Sequence, residues 1–244
     1  MTYLAIIGGS GFTRMPDLKV TRREVVRTPF GEPSAPLTYG LFDGQEVAFL
    51  PRHGAGHRLP PHRINYRANI WALKTIGARH VVGMAAVGGI SMGPQIICVP
   101  DQIIDYTYGR EHTFFDGEDA AVTHIDVTEP YCAKLRDRLL NAGRTAGLDP
   151  VDGGTYGVTQ GPRLETAAEI RRFENDGCDL VGMTAMPEAA LAREAGLCYA
   201  TCAVVVNWAA GKSPGPITME EIEHNLAEGM QKARGILQHI QSEA

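Results

Sequence analysis

The order of local patterns along the chain limits its fold most. Short apolar runs rich in β-branched residues predict strands at Tyr3–Ile7, Glu46–Leu50, His80–Met84, Ile96–Asp105, Gly154–Thr159, Leu180–Gly182 and Tyr199–Val206. The Ile96–Asp105 run is one strand or two around Pro100. Between the strands, apolar spacing and capping signals predict helices at Tyr66–Ile76, Leu135–Ala146, Thr166–Asp176, Pro187–Glu194 and from a capping box at Thr218 to about Gln241. Such alternation predicts an α/β fold in which helices flank a central, mixed, mostly parallel sheet.

Composition indicates one globular domain, which we expect to span residues 1–244. The 28 glycines are spread along the chain, and no repeat or linker rich in Pro, Gly or Ser interrupts it. A hydrophobic share of 44% and a charged share of 21% exclude a disordered or collagen-like chain. The net charge of −5 argues against a nucleic-acid partner. No apolar run approaches the ~20 residues that span a bilayer, so no membrane partner is expected.

The first residues and the cysteines both predict a cytoplasmic protein. The chain begins MTYLAIIGGSG, which lacks a basic segment and is typical of a first strand rather than a signal peptide. Its five cysteines are odd in number and scattered, a pattern that favours reduced thiols over a disulfide framework.

Unusual residues stand where predicted strands end, which is where parallel sheets bind ligands. Gly8–Gly11 follows the first strand and either presents backbone N–H groups and the Ser10 hydroxyl to an anion or forms a plain tight turn. Arg52 and His53 follow the second strand and offer a bidentate fork and a second donor to an oxyanion. These residues predict an anion site.

Three more polar residues have a structural alternative beside the functional one. Thr184 adds a hydroxyl to the anion site or caps a helix. Asn207 ends the longest strand, where its amide either binds a ligand or serves a turn. Glu165 precedes a predicted helix and is a site carboxylate, a carboxylate stabilised by the helix N-terminus or the surface partner of Arg163.

The histidines near Arg52 raise the possibility of zinc. His53, His57 and His62 lie in a loop rich in Gly and Pro, not on a helix face, and no cysteine pair accompanies them. We therefore predict no metal. Tyr106–Glu129 shows no sustained period and predicts a long polar loop, which in a compact domain usually covers a site.

Several motifs occur together in an order and spacing that point to one family. They are Gly8–Gly11, Pro51–Gly54, Ile64–Leu73, Gly161–Arg163, Met183–Thr184 and Pro187–Glu188. On these motifs the chain resembles the methylthioadenosine phosphorylase branch of the trimeric purine nucleoside phosphorylases, over essentially its whole length. The resemblance implies a homotrimer with sites near subunit boundaries. It also implies phosphorolysis of a nucleoside, with inorganic phosphate as co-substrate and no metal or organic cofactor.

The resemblance further implies roles for individual residues. Phosphate would be held by Ser10, Arg52, His53, Thr184 and the backbone at Ala85 and Ala86. Ala85 stands where the family often has threonine, so one hydroxyl contact is missing. The nucleoside would contact Met183 beneath the ribose, Val87, Gly88 and Leu164 along the base, and His57 at a neighbouring subunit's 5′ pocket. The catalytic groups would be His53 and Asn207.

The base pocket departs from the methylthioadenosine branch. Aspartates of that branch are replaced here by Asn207 and Ala209, and a small residue by Glu165. An Asn amide can donate to O6 or N7 of a purine, and a Glu carboxylate can accept from N1–H. This pair suits a 6-oxopurine, as in the inosine and guanosine phosphorylases.

The residues expected around the sugar predict which 5′ substituent the nucleoside carries. Met219 and Ile222, near the start of the last helix, would give an apolar lining suited to a 5′-methylthio group, whereas His224 in that position would favour inosine. The combined expectation is phosphate-dependent cleavage of 5′-methylthioinosine to hypoxanthine and 5-methylthioribose 1-phosphate. The alternatives are a methylthioadenosine phosphorylase, an inosine/guanosine phosphorylase and a catalytically idle purine-binding protein.

Overall fold

The computed structural model describes residues 4–15, 17–117 and 121–240, in which strands and helices alternate. The strands are β1 (Leu4–Gly8), β2 (Lys19–Glu24), β3 (Leu37–Phe42), β4 (Gln45–Pro51), β5 (His80–Gly89), β6 (Ile97–Val99), β7 (Gln102–Asp105), β8 (Val151–Asp152), β9 (Thr155–Val158), β10 (Leu180–Gly182) and β11 (Cys198–Trp208). The helices are α1 (Tyr66–Thr75), α2 (Ala133–Thr145), α3 (Ala167–Asn175), α4 (Ala185–Glu194) and α5 (Met219–His239). The described residues also contain one 3₁₀ turn, at Pro61–Arg63.

All these strands join one mixed sheet, which confirms the predicted fold class. Its main path runs β2-β3-β4-β1-β5-β10-β9-β7, and β11 pairs with β5 and β6, while β8 pairs with β6. The pairs β1–β4, β1–β5, β5–β11, β9–β10, β7–β9 and β6–β8 are parallel, and the rest are antiparallel.

The sheet divides along one edge of β5. Strand β1 pairs with β5 only as far as Gly83, and β10 pairs with it from Gly88. The segment Met84–Val87 therefore has β11 on one side and no strand on the other. This gap is the topological switch point at which open α/β sheets bind ligands.

Helices cover both faces of the sheet. Helices α2 and α5 pack against β11, β6 and each other, around a core that includes Leu139, Val204 and Ile236. Helices α1 and α4 pack on the opposite face, around Ile70 and Leu191. Helix α3 packs through Ile170 and Phe173 beside β10. These side chains are almost wholly buried, so the sheet is fixed from both sides.

Most predicted elements are confirmed within a few residues. The Ile96–Asp105 run forms two strands, and β5 and β11 are longer than predicted. Strands β2, β3 and β8 were not predicted. Helix α5 shows the Thr218 half of the expected capping box, because its side chain accepts from the N–H of Glu221. Tyr3 and Gln241 lie outside the described residues.

The expectation that all cysteines are reduced is wrong for one pair. Cys132 and Cys198, 66 residues apart, form a disulfide with a Cα–Cα distance of 5.2 Å. The fold brings them together because Cys132 precedes α2 and donates its backbone N–H to Tyr199 at 2.8 Å, next to the start of β11. Cys98, Cys178 and Cys202 are free and buried.

None of the described helices is long and apolar enough to cross a membrane.

Two glycines of α5 test how closely this helix must approach the sheet. A Cβ at Gly229 would lie 2.2 Å from Cγ1 of Val204, whereas one at Gly235 would meet only Ala146 Cβ at 3.9 Å. We expect Gly229→Ala to lower the free energy of unfolding by about 1–3 kcal/mol, through overpacking. Gly235→Ala, the matched control, should raise it by up to about 1 kcal/mol, because alanine favours helix. Equal effects in urea unfolding would contradict this packing.

Candidate active site

A cavity of about 490 Å³ opens at the gap in the sheet. It is lined by the residues that the sequence analysis places in this chain's own site: Ser10, Arg52, His53, Ala85, Ala86, Val87, Gly88, Leu164, Glu165, Met183, Thr184, Asn207, Ala209, Met219 and Ile222. His57, expected at a neighbouring subunit's pocket, also lines this cavity. The cavity lies along the middle of β5 rather than beyond its end, because β5 continues past the gap to reach β10.

Arg52 is buried in the gap and is already bound to the protein. Its Nε and Nη2 donate to the two carboxylate oxygens of Glu188, each at 2.7 Å, and its Nη1 donates to the Met84 carbonyl at 2.7 Å. Arg52 is 1% exposed and Glu188 is fully buried. The Nε–Nη2 edge of the guanidinium is therefore used by Glu188 and is not open to an oxyanion. An arginine carries five donors, so one N–H on each Nη remains for a ligand.

Glu188, which the sequence motifs include without a role, accepts hydrogen bonds from a buried hydroxyl as well as from Arg52. The hydroxyl is that of Tyr199, at 2.7 Å, and its oxygen accepts in turn from Thr201 at 3.2 Å. Burial alone would lower the pKa of Arg52, but the Glu188 carboxylate holds that pKa above its ordinary value. The sequence signal for Glu188 was its place as a single charge in the apolar run Ala185–Ala192.

Glycines allow the buried pair and the first turn to approach each other. A Cβ at Gly83 would lie 2.3 Å from the Tyr199 hydroxyl and 2.9 Å from Glu188 Oε1. A Cβ at Gly9 would lie 2.5 Å from the Met84 carbonyl oxygen and 2.8 Å from Arg52 Nη1. The Gly8–Gly11 turn is thus held against Arg52, and Ser10 lines the cavity beside it.

His53 is held by a carbonyl oxygen. Its Nδ1 lies 2.8 Å from the Leu59 oxygen, which can only accept, so Nδ1 carries the proton. Burial and the neighbouring Arg52 cation lower the pKa of His53 to about 4, which keeps the ring neutral at pH 7. In that neutral form its other nitrogen, Nε2, is an acceptor. The His57 ring stacks on His53, with centroids 4.2 Å apart.

The turn between β10 and α4 brings Met183 and Thr184 to the cavity. Thr184 occupies the N-cap position of α4, but its side chain makes no capping hydrogen bond, so the capping alternative fails. Thr184 is buried and lines the cavity. The helix bends at Met186, whose backbone angles are not helical.

Glu165 and Asn207 both line the cavity. Glu165 accepts from the Thr159 hydroxyl at 2.6 Å, and Asn207 Nδ2 donates one N–H to the Trp208 carbonyl at 2.8 Å. Burial raises the pKa of Glu165 above its ordinary value, against the lowering effect of the Thr159 bond. Val87, Gly88, Leu164 and Ala209 line the same cavity.

The two structural alternatives for Glu165 are wrong. Helix α3 begins after Thr166, which caps it in a reciprocal capping box with Glu169, so Glu165 lies before the helix. Arg163 pairs with Glu169 through both Nη atoms, at 2.8 and 2.7 Å, and not with Glu165.

Apolar side chains in and just before α5 also line the cavity: Ile217, Met219, Ile222 and Leu226. His224 does not line the cavity; its side chain is 69% exposed and lies 3.6 Å from Glu228 Oε1. Met219, rather than His224, therefore faces the site.

Arg110, in the predicted long loop, is a second residue that sequence analysis missed. It is 9% exposed, and its Nη1 donates to the carbonyls of Met183 and Met186 at 2.9 and 2.6 Å. Its Nη2 donates to the carbonyls of Thr159 and Gln160 at 3.1 and 2.9 Å. This side chain joins the two backbone turns that form walls of the cavity. The rest of loop 106–129 has no helix or strand where it is described, and residues 118–120 lie outside that part.

Within the described ranges, no three His, Cys, Asp or Glu side chains come close enough to hold a metal ion. His62 lies in the 3₁₀ turn and is exposed.

Comparison with known proteins gives the family. A model described as the phosphorylase superfamily matches residues 3–242. The chain belongs to this superfamily. A Pseudomonas syringae pv. tomato protein named probable S-methyl-5′-thioinosine phosphorylase is 54% identical over 244 residues, 99% of each chain. A Pyrococcus furiosus 6-oxopurine nucleoside phosphorylase is 49% identical over 229 residues, 91% of this chain and 85% of that one.

Solved structures of the superfamily share the fold. Methylthioadenosine phosphorylase from Schistosoma mansoni, in complex with adenine, matches with a TM-score of 0.93 at 34% identity. The match covers 98% of this chain and 91% of that one.

The buried pair yields a stability prediction. Glu188→Gln keeps the shape of the side chain but leaves the buried Arg52 cation without its counter-charge, so we expect the free energy of unfolding to fall by about 3–5 kcal/mol. Glu174→Gln removes the exposed partner of Lys212 and should cost less than about 1 kcal/mol. Denaturant unfolding of both variants measures the difference, and similar small losses would show that the pair is not structural.

Proposed function

We propose that this phosphorylase cleaves S-methyl-5′-thioinosine with phosphate, giving hypoxanthine and 5-methylthioribose 1-phosphate. The observation that carries the proposal is a single cavity whose base end holds Asn207 and Glu165 and whose sugar end is lined by Met219 and Ile222. The 54% identical relative with this activity in its name supports the same substrate.

The base end favours a 6-oxopurine. The second N–H of the Asn207 amide can donate to O6 or N7, and Glu165 can accept from N1–H. Adenine has no proton on N1 and carries an amino donor where a 6-oxopurine carries O6, so Glu165 would face a lone pair and Asn207 could donate only to N7. Each such mismatch typically costs about 1–3 kcal/mol. Asn207 and Glu165 thus distinguish this chain from the methylthioadenosine phosphorylases whose fold it shares.

The sugar end separates it from inosine phosphorylases. A 5′-hydroxyl needs a polar partner, and His224, which could supply one, lies outside the cavity. A 5′-methylthio group is satisfied by the apolar side chains present. Inosine/guanosine phosphorylase remains the second candidate, because a 49% identical relative is a 6-oxopurine nucleoside phosphorylase.

The reaction needs positioning and charge stabilisation, which these residues can supply. Phosphate, bound near Ser10, Thr184 and the remaining Arg52 donors, would attack C1′ from the face opposite the base. The leaving purine gains negative charge, and the Asn207 N–H would stabilise it more strongly as the bond breaks. The neutral His53 ring can accept a hydrogen bond from a protonated phosphate oxygen. The scheme uses no metal or organic cofactor.

The proposal includes a homotrimer and a cytoplasmic location. Met219 and Leu164 line the cavity yet are 65% and 45% exposed, so a neighbouring subunit would cover them, and His57 would reach that subunit's 5′ pocket. The nucleoside chemistry supports the location, whereas the Cys132–Cys198 disulfide removes the support that reduced thiols would give.

Cleavage should require phosphate. We expect release of hypoxanthine only when phosphate is present, and Ser10→Ala should raise the KM for phosphate because one donor to the anion is lost. Ser91→Ala removes a hydroxyl that bonds Asp179 away from the cavity and serves as the control. Equal release in phosphate-free buffer would identify a hydrolase.

Substrate choice tests the base and sugar ends separately. We expect kcat/KM for methylthioinosine to exceed that for methylthioadenosine by up to ~10⁴-fold and that for inosine by at most ~10²-fold, because hydrogen-bonding sites discriminate more than apolar ones. Asn207→Asp combined with Ala209→Asp should move activity toward methylthioadenosine. If the unmodified enzyme prefers methylthioadenosine, the base assignment is wrong; if it prefers inosine, only the sugar assignment is wrong.

A further inference from the structure

Thr159 follows β9, and its backbone is fixed on both sides. Its N–H donates to the Gly182 carbonyl at 2.7 Å, and its carbonyl accepts from Arg110 Nη2 at 3.1 Å. The residue is 8% exposed. The position of its hydroxyl is therefore set by the sheet and by Arg110, not by a mobile loop.

The Thr159 hydroxyl gives its proton to Glu165. Its oxygen lies 2.6 Å from Glu165 Oε1 but 3.3 Å from the Gly182 carbonyl, which already accepts the Thr159 N–H. A hydroxyl has one proton, and hydrogen bonds to a carboxylate are the shorter and stronger kind. The carboxylate keeps further lone pairs for a ligand.

Glu165 borders two cavities, so its orientation matters. One is the active-site cavity, and the other, of about 370 Å³, is also lined by Tyr106, Arg163 and Arg172. A carboxylate without the Thr159 bond could turn toward the cations of the second cavity. Both Nη atoms of Arg163 are occupied by Glu169, and in the described part of the chain Glu165 has no ion-pair partner.

We propose that Thr159 is a positioning residue that sets base specificity: its hydroxyl holds the Glu165 carboxylate, ionised, where it can accept N1–H of a 6-oxopurine. This inference rests on the proposed function. Thr159 itself need not touch the substrate, since it does not line the active-site cavity.

The charges around Glu165 make its protonation depend on Thr159. Burial raises the pKa of Glu165, whereas the Thr159 hydroxyl, the Glu165 backbone N–H and the Arg163 cation lower it, and Glu169 raises it. On the side of the second cavity the other ionisable groups are Tyr106, Tyr108 and Arg172. Across the active-site cavity they are Arg52, His53, His57 and Arg58. Loss of the hydroxyl bond would raise the pKa of Glu165 further.

The test compares Thr159→Val, which removes the hydroxyl, with Thr159→Ser, which keeps it. For Thr159→Val we expect a fall of about 10- to 100-fold in kcat/KM for methylthioinosine, the cost of one unpaired buried group. The acid limb of its pH profile should move to higher pH, and the preference for methylthioinosine over methylthioadenosine should fall. Thr159→Ser should retain the original profile. Thr155→Val, at the other end of β9, is the control for the effect of a threonine-to-valine change on this part of the sheet.

A double-mutant cycle shows whether Thr159 acts through Glu165. In a Glu165→Gln background, Thr159→Val should cause little further loss, because the carboxylate it serves is gone. Additive losses, or equal pH profiles for the Val and Ser variants, would overturn the inference while leaving the proposed function intact. A preference of the unmodified enzyme for methylthioadenosine would instead overturn the proposed function. If Thr159→Val folds poorly, the pH profiles of Thr159→Ser and Glu165→Gln are compared instead. A Thr159→Ser profile that resembles that of Glu165→Gln would overturn the inference.

Discussion

The buried ion pair of Arg52 and Glu188 holds the sheet together at the place where it divides. Strand β1 leaves β5 after Gly83, and the next carbonyl, that of Met84, accepts from Arg52 instead of from a strand. The pair thus supplies a partner for the Met84 carbonyl at the opening. Because Arg52 is fixed from behind by Glu188, only its outer N–H groups can face an anion.

A second arginine fixes the walls of the opening. Arg110 makes its bonds to carbonyls of the turn after β9 and the turn after β10, and so sets the distance between Thr159 and Met183. A buried cation bound to backbone oxygens fixes main-chain positions whatever side chains the turns carry. Arg110 therefore links the turns that carry Met183 and Thr159, and the Thr159–Glu165 bond is built on one of them.

The sequence predicted which residues line the cavity better than it predicted their contacts. Strand-end motifs placed Ser10, Arg52 and Asn207 around one cavity, because parallel strands bring their ends together. It did not predict that Glu188 takes the Arg52 fork or that Cys132 meets Cys198, because both depend on packing between distant segments. Strand β2 was missed because its sequence, KVTRRE, is exposed and charged and lacks the alternation of a half-buried strand.

A crystal structure with hypoxanthine and phosphate bound tests the central claim most directly, namely that this cavity is built for a 6-oxopurine. We expect Glu165 within hydrogen-bond distance of N1 and still bonded to Thr159. We also expect Asn207 Nδ2 to face O6 or N7, and phosphate to lie beside Ser10 and Arg52. A base bound in the cavity with Glu165 turned toward Arg163, or with the Asn207 amide directed away from the purine, would contradict it.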